Sequence, residues 1–273
     1  MVRAVAALAL SLALISAASP SARAADADLA QVRSLNGGEQ VALTGLSDEM
    51  DLTLADGRDV RLDGVLLPRE EPWRGRIANA LNRLAGQPVE LRFDHREVDR
   101  YGHSLAQVIS KDGEWLQGKL VADGLARVES FGDNRKMIPA LLKIEADARD
   151  HGVGLWSDPD FAVLDADAIV GDPNTRLGRF AIVEGRVVSV VDRSNWTFVN
   201  FGQDWHTDFT IAVKAGNRKR VRDGGLDLAT LAGARVRVRG WIRDWNGPLI
   251  EVDHAGQIER LAEPAIIAET SGP

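Results

Sequence analysis

The sequence predicts a mainly β, α+β chain divided into two domains, and three observations carry that reading. Stretches in which apolar and polar residues alternate with a period of two recur from Met50 to Phe93 and again from Phe180 to Asp253, as half-buried strands require. Two longer runs with helical spacing of apolar residues fall in the first half, around Ile77–Leu84 and Leu141–Ala148. The charge also changes sign: Asp26 to Thr175 holds 17 Lys and Arg against 28 Asp and Glu, whereas Arg176 to Ala262 holds 14 against 10. Between the halves Gly171, Pro173, Asn174 and Gly178 cluster, a combination that punctuates chains between elements. The 273 residues, 45% hydrophobic and 27% charged, suit one large or two modest folded domains and exclude a disordered or fibrous chain.

The first segment stands outside both domains. Residues 1–24 combine Arg3, an apolar run from Ala4 to Ala18, and Ala22 and Ala24 flanking Arg23, the pattern of a secretory leader cut after Ala24. The run is shorter than the ~20 residues that span a bilayer, and no later run is long enough, so the expected locations are the periplasm or the exterior. There is no cysteine, which excludes disulfides, thiolate metal sites and a lipidated cysteine.

In "MDLTLADGRDVRLDGV" the apolar pairs Leu52/Leu54 and Val60/Leu62 flank Asp56-Gly57, a hairpin whose turn the Asp-Gly pair sets. Ile77, Ala80, Leu81 and Leu84 predict a helix that Gly86 and Pro88 end. "VELRF" is the next strand, and "DRYGHSLAQVIS" is a polar turn entering another. A short helix follows in "WLQGKLVADGLARV", and a longer one in "MIPALLKIEADARDHGVGLW", where Leu141, Leu142, Glu145, Ala148 and Arg149 are helical neighbours.

Four of these segments, "VRLDGVLLP", "DRYGHSLAQV", "LVADGLARV" and "LLKIEADARDHGVGLW", resemble in order the staphylococcal-nuclease (thermonuclease) family over roughly residues 40 to 160. The resemblance implies a small OB-type β-barrel with packed helices. It also implies phosphodiester cleavage with calcium held by carboxylates, a glutamate that activates water and two arginines that grip the phosphate. The site residues depart from that pattern. The family's Asp-Thr-Pro-Glu turn reads Leu66-Leu67-Pro68-Arg69, and Met50 meets the earlier metal aspartate. Arg61 matches the first arginine, while the second is His103, which lacks the planar fork.

Two readings remain open at this stage. In one the phosphodiesterase site is eroded, no metal or cofactor is expected, and Arg61, Glu70, Glu71 and His103 are polar surface residues. In the other a divergent nuclease is built from Arg61, Glu70 and His103, with the loop slipped by one residue and calcium displaced onto Asp48 or Asp51. The five histidines show no helical metal spacing.

The second half reads as strands at "FAIVEGRVVSVVD", "WTFVNFG", "DFTIAVK", "RVRVRGWIRDW" and "PLIEVD", with a short helix at Leu226–Leu231. Five strands and one intervening helix make an OB-fold-like β-barrel. The segment "AGNRKRVR" is expected as a basic loop. Arg235, Arg237 and Arg239 alternate with inward Val236 and Val238. Trp205 and Trp241, with Trp196 and Trp245, offer stacking surfaces, a combination with which OB-folds hold single strands. Against this stands the ordinary solvated face of a half-buried strand. The expected organisation is a leader at 1–24, a thermonuclease-like domain at 25–160, a linker at 161–175, an OB-like domain at 176–262 and a tail at 263–273. Its expected role is binding, to single-stranded nucleic acid or an envelope protein.

Overall fold

The computed structural model describes residues 28–99, 101–131, 133–169, 177–204 and 206–263. The expected leader, residues 170–175 of the expected linker, and residues 264–273 lie outside them. Among the described residues no helix is long and apolar enough to cross a membrane.

In the first half, strands β1 (Asn36–Leu46), β2 (Leu52–Leu54), β3 (Asp59–Leu62), β5 (Pro88–Phe93) and β6 (Ser104–Ser110) close into a barrel in the order β1-β2-β3-β6-β5. The Asp-Gly hairpin forms as its sequence demands: Leu52 pairs with Val60, and Gly57 takes φ 84° in the turn. The alternating Leu52, Leu54, Val60, Leu62, Val89 and Leu91 fill the barrel. Helix α1 (Trp73–Asn82) covers it with Ile77 and Leu81, α2 (Leu116–Ala122) with Leu116 and Leu120, and α3 (Ile138–Asp150) with Leu141. A two-residue ladder of β4 (Val65–Leu66) and β7 (Arg127–Val128) pairs the segment after β3 with the chain after α2.

The glycines of "ADGLARV" and "HGVGLW" have a shared cause. Leu155 donates its N–H to the Gly124 carbonyl at 2.8 Å, and a Cβ on Gly124 would sit 2.1 Å from the Val153 oxygen while one on Gly154 would sit 2.4 Å from the Gly124 oxygen. Both residues also take positive φ, so any side chain would force these loops apart.

The second half begins earlier than its turn-rich stretch suggests. Strand β8 (Leu164–Asp165) pairs in parallel with β9 (Phe180–Arg186), and α4 (Ala166–Ile169) follows it with Ala166 and Ile169 buried in the second core. The sheet runs β10 (Ser189–Asp192), β11 (Trp196–Asn200), β12 (Thr210–Lys214), β14 (Pro248–Val252), β13 (Arg235–Asp244), β9, β8, with β15 (Ile258–Arg260) on β13. Because β9 and β10 lie far apart in this order yet are joined by only Val187 and Val188, the sheet must curl on itself. Its core is Val183, Val199, Phe209, Ile211, Val236 and Val238, with their neighbours. The expected basic loop is instead a 3₁₀ turn at Ala215–Asn217 and a helix, α5 (Arg218–Asp223), that buries Val221. One apolar residue among five polar ones was enough to anchor it. A further 3₁₀ turn at Leu228–Leu231 occupies the expected helix before β13.

The two cores are docked through polar groups. Arg239 on β13 is 1% exposed and donates to Glu145 of α3 at 2.7 Å and to Glu259 at 2.6 Å. Trp241 donates its indole N–H to Glu129 at 2.7 Å, and the His254 ring lies 3.0 Å from the Ser130 hydroxyl.

Candidate functional site at the domain junction

A cleft of about 520 Å³ opens where the first barrel meets β13, lined among others by Asp51, Arg61, Asp63, Leu66, Glu129 and Trp241. Arg61 projects from β3, and three of the five N–H groups of its guanidinium are taken by carboxylates. Nε and Nη2 donate to the two oxygens of Asp51 at 3.0 and 2.9 Å, and Nη1 donates to Asp99 at 3.0 Å. The Asp51 carboxylate raises Arg61 above its ordinary range against the opposing effect of burial, and Asp99 adds to the rise. The forked geometry that would grip a phosphate is occupied by the chain itself.

Asp99 organises the turn behind it. Its Oδ1 accepts the backbone N–H groups of Tyr101 and His103 at 2.8 and 3.0 Å, and its Oδ2 lies 3.0 Å from His103 Nδ1. Burial pushes Asp99 up, but these hydrogen bonds outweigh it and hold the carboxyl below its usual range. Arg61 and His103 are thus brought together through a shared carboxylate. Glu70 is not brought to them. It lines a neighbouring cleft, its Oε2 accepts the Arg69 N–H at 3.0 Å, and it stands 3.9 Å from Arg179. The three residues of the divergent-nuclease reading do not share one cleft, because the chain after Pro68 turns toward the second domain.

The donor set does not fit calcium as the resemblance implies it. Met50 is buried with φ 68° and carries no oxygen on its side chain, Leu66 has none either, and Asp51 is held by Arg61. Asp48, offered as a displaced ligand, is 95% exposed and pairs with Arg74 at 3.1 Å. Among the described residues no group of three His, Asp or Glu side chains is gathered for a metal ion.

Two acids in the cleft escaped the sequence reading. Asp63 is 5% exposed; burial, with Asp94 nearby, pushes its carboxyl up to about 7 against hydrogen bonds from Asn134 and Gln107. Glu129 is also raised by burial, in spite of the Trp241 hydrogen bond and the charges of Arg127 and Arg61. Asp99 could have been found, since an aspartate two residues before Tyr101-Gly102 is a turn-closing acceptor. Asp63 and Glu129 carry no such local signal.

The arginines of β13 are not a free face, which corrects the expected binding strand. Arg235 pairs with Glu184 at 3.3 Å, Arg237 donates to Glu184 at 2.7 Å and pairs with Glu259 at 3.5 Å, and Arg239 lies beneath α3. Glu184 on β9 and Glu259 on β15, both opposite Arg237, reach the three arginines between them, and Glu145 of the other domain covers the last. Trp241 is 45% exposed and packs edge-on against Phe180 with ring centroids 5.9 Å apart. Trp205 lies outside the described residues. An aromatic group does gather elsewhere in the second domain: Trp196 stacks on Phe198 at 6.3 Å, Trp245 meets Trp196 at 5.0 Å and Phe198 at 5.8 Å, and Lys214 Nζ lies 5.2 Å from the Trp196 ring.

Comparison with known proteins places a staphylococcal nuclease homologue domain at residues 60–158. The chain is 34% identical over 76 residues to a thermonuclease of Staphylococcus hyicus, covering 28% of this chain and 44% of that protein. It is 31% identical over 103 residues to an uncharacterized endonuclease of Escherichia coli O157:H7, covering 37% and 64%. The matched region is therefore less than two thirds of either relative.

Proposed function

From the premise that residues 60–158 form a staphylococcal-nuclease-like domain, we propose that this chain is an exported binding protein that holds single-stranded nucleic acid without hydrolysing it. The observation that carries the reading is the closure of Arg61 by Asp51 and Asp99. A phosphodiester entering that cleft would compete with two carboxylates for one guanidinium, in the company of Glu129. It would find Leu66 and Arg69 where the family's chemistry needs a metal ligand and a water activator. Like charge placed against a phosphate costs what a fixed cation would have supplied. The strand instead meets the aromatic face of Trp196, Phe198 and Trp245, edged by Lys214. Bases stacking on such side chains contribute about 1–3 kcal/mol each with little sequence preference.

The test is incubation of the mature chain with end-labelled single-stranded DNA and RNA at low salt, once with calcium and once with chelator. The expected result is a salt-sensitive rise in anisotropy and oligonucleotides of unchanged length. Cleavage that calcium starts and chelator stops would overturn the non-hydrolytic part and restore the divergent nuclease. An unchanged anisotropy would overturn the nucleic-acid part and favour an envelope partner.

A further inference from the structure

A second cleft, of about 360 Å³, lies between the domains and adjoins the first, with which it shares Leu66, Leu67, Arg69 and Trp241; Arg127, Phe161 and Arg179 line it as well. We propose that it binds a phosphate monoester attached to a planar ring, of the class of a nucleoside monophosphate.

Arg127 is the centre of the argument. It enters the junction from β7, and its guanidinium lies between two rings, 5.0 Å from the centroid of Phe161 and 5.0 Å from that of Phe180. One nitrogen, Nη1, donates to the Phe180 carbonyl at 2.9 Å. Its Nε is sealed from solvent and has no hydrogen-bond partner. Among the described residues no carboxylate oxygen lies within 4.0 Å of this guanidinium. A largely desolvated cation whose acids act only from a distance is costly, and an anion in direct contact would offset that cost. Burial, with Arg179 as a neighbouring like charge, pushes Arg127 down to about 10, against the pull of Glu145, Glu70 and Glu129.

The rest of the lining agrees with an anionic guest. Arg69 and Arg179 bring two more guanidinium groups, and Glu70 and Asp160 are the acids of the lining. Glu70 meets Arg179 only at 3.9 Å, too far for a hydrogen bond. Guanidinium groups match phosphate oxygens in pairs, so a dianion here offsets the charges of Arg127 and Arg179 together through their cleft-facing atoms, the sealed Nε of Arg127 staying out of its reach. Leu66 and Arg69 then make sense jointly: the turn that would hold a metal in the family presents an apolar wall and a cation to this cleft. At its edge the Trp241 ring is clamped by the Glu129 hydrogen bond and by Phe180, so it offers a prepositioned face to a planar ring at little entropic cost. This cleft is separate from the Trp196–Phe198–Trp245 face and from Arg61, so it does not depend on strand binding.

The experiment is calorimetric titration of the full mature chain with adenosine 5′-monophosphate, inorganic phosphate and adenosine. Saturable binding is expected for the first, weaker binding for the second and none for the third. Arg179→Gln and Arg69→Gln, both on the rim, should each weaken the monophosphate about tenfold or more, the loss of one charge-assisted contact. Arg127→Lys, checked for an unchanged circular dichroism melt, should do the same, because a point charge cannot replace the fork. Trp241→Leu should reduce the preference for the nucleotide over inorganic phosphate. Three outcomes would overturn the proposal: no saturable binding at millimolar ligand, binding indifferent to Arg179→Gln and Arg69→Gln, or binding abolished by Trp196→Ala and Trp245→Ala instead. Equal affinity for phosphate and nucleotide would overturn the ring contact alone.

Discussion

Asp63 shows how one side chain reports its surroundings. It sits at the end of the alternating "VRLD" run, 5% exposed, with its carboxyl raised from 3.8 to about 7 by burial. A group whose folded pKa exceeds its unfolded value contributes stability that is fully present below the unfolded pKa and lost as pH rises through the folded one. Above pH 7 the protein must therefore hold a buried carboxylate at a cost of up to about 4 kcal/mol, since each tenfold change in proton affinity is worth about 1.4 kcal/mol. Asp63→Asn is expected to raise the urea midpoint at pH 8 and to raise it much less at pH 5. Equal gains at both values would mean that Asp63 ionises normally. The side chains of Asp51 and Asp99 answer a different question: why Arg61, matched to the family by its position in "VRL", does not present a phosphate site. Its identity was legible in the sequence, but its partners lie 10 and 38 residues away, and no local pattern announces such pairs.

At the scale of elements, the β3–β4 turn and strand β13 behave differently from what their residue types imply in isolation. Because Met50 and Leu66 offer no hard oxygen and Asp51 is engaged, millimolar calcium is expected to leave the melting temperature unchanged. An ion bound at a hundred times its Kd would add about 2.7 kcal/mol, so a clear rise that EDTA reverses would contradict the reading. Strand β13 alternates arginine and valine as a half-solvated strand does, yet the series runs from the edge at Arg235, which is 37% exposed, to full burial at Arg239. Arg239→Ala removes the closest cation from the buried Glu145, leaving it Val128 N–H and the more distant Arg149, and is expected to cost about 3 kcal/mol in urea unfolding. Arg235→Gln should cost no more than about 1 kcal/mol, the ordinary value of an exposed pair. Similar losses at both positions would contradict the gradient of burial. The period-two pattern gave the face of each arginine correctly; what covers that face is set by a helix some 90 residues earlier in the chain.

For the whole molecule, the polar junction has thermodynamic consequences. Sequence patterning predicts that the first domain ends near residue 160 and folds alone. A fragment of residues 25–160 would keep its barrel core but lose Arg239, leaving Glu145 with Val128 N–H at 2.7 Å and Arg149 at 3.6 Å as partners. We expect the fragment to melt cooperatively but several degrees below the full chain, since about 1 kcal/mol already shifts a domain of this size by a few degrees. Glu145→Gln should recover part of the difference in the fragment and lower the stability of the full chain. Calorimetry on the four proteins checks this; a fragment as stable as the full chain would mean that the junction contributes nothing. Docking is also expected to weaken at low pH through His254, which burial holds below its usual range. By the same linkage its contribution is present above about pH 6.5 and fades as pH falls through the lower folded value.

The amino-acid order alone was sufficient for the first barrel and for the strand-rich character of the second half. The Asp-Gly hairpin, the alternation in β2, β3, β5 and β13 and the helical spacing of Ile77 to Leu84 act over a few residues, where backbone sterics and burial leave little choice. It also sufficed to show that Met50, Leu66 and Arg69 replace groups on which the family's chemistry depends. Which cations are free had to wait for the assembled chain. Arg61 and Arg239 are paired with carboxylates, while Arg127 lies against two rings with its acids, Glu145, Glu70 and Glu129, acting only from a distance. The physical reason is that a charge is satisfied or stranded by whatever comes within a few ångströms of it, and at this junction those neighbours arrive from the other end of the sequence.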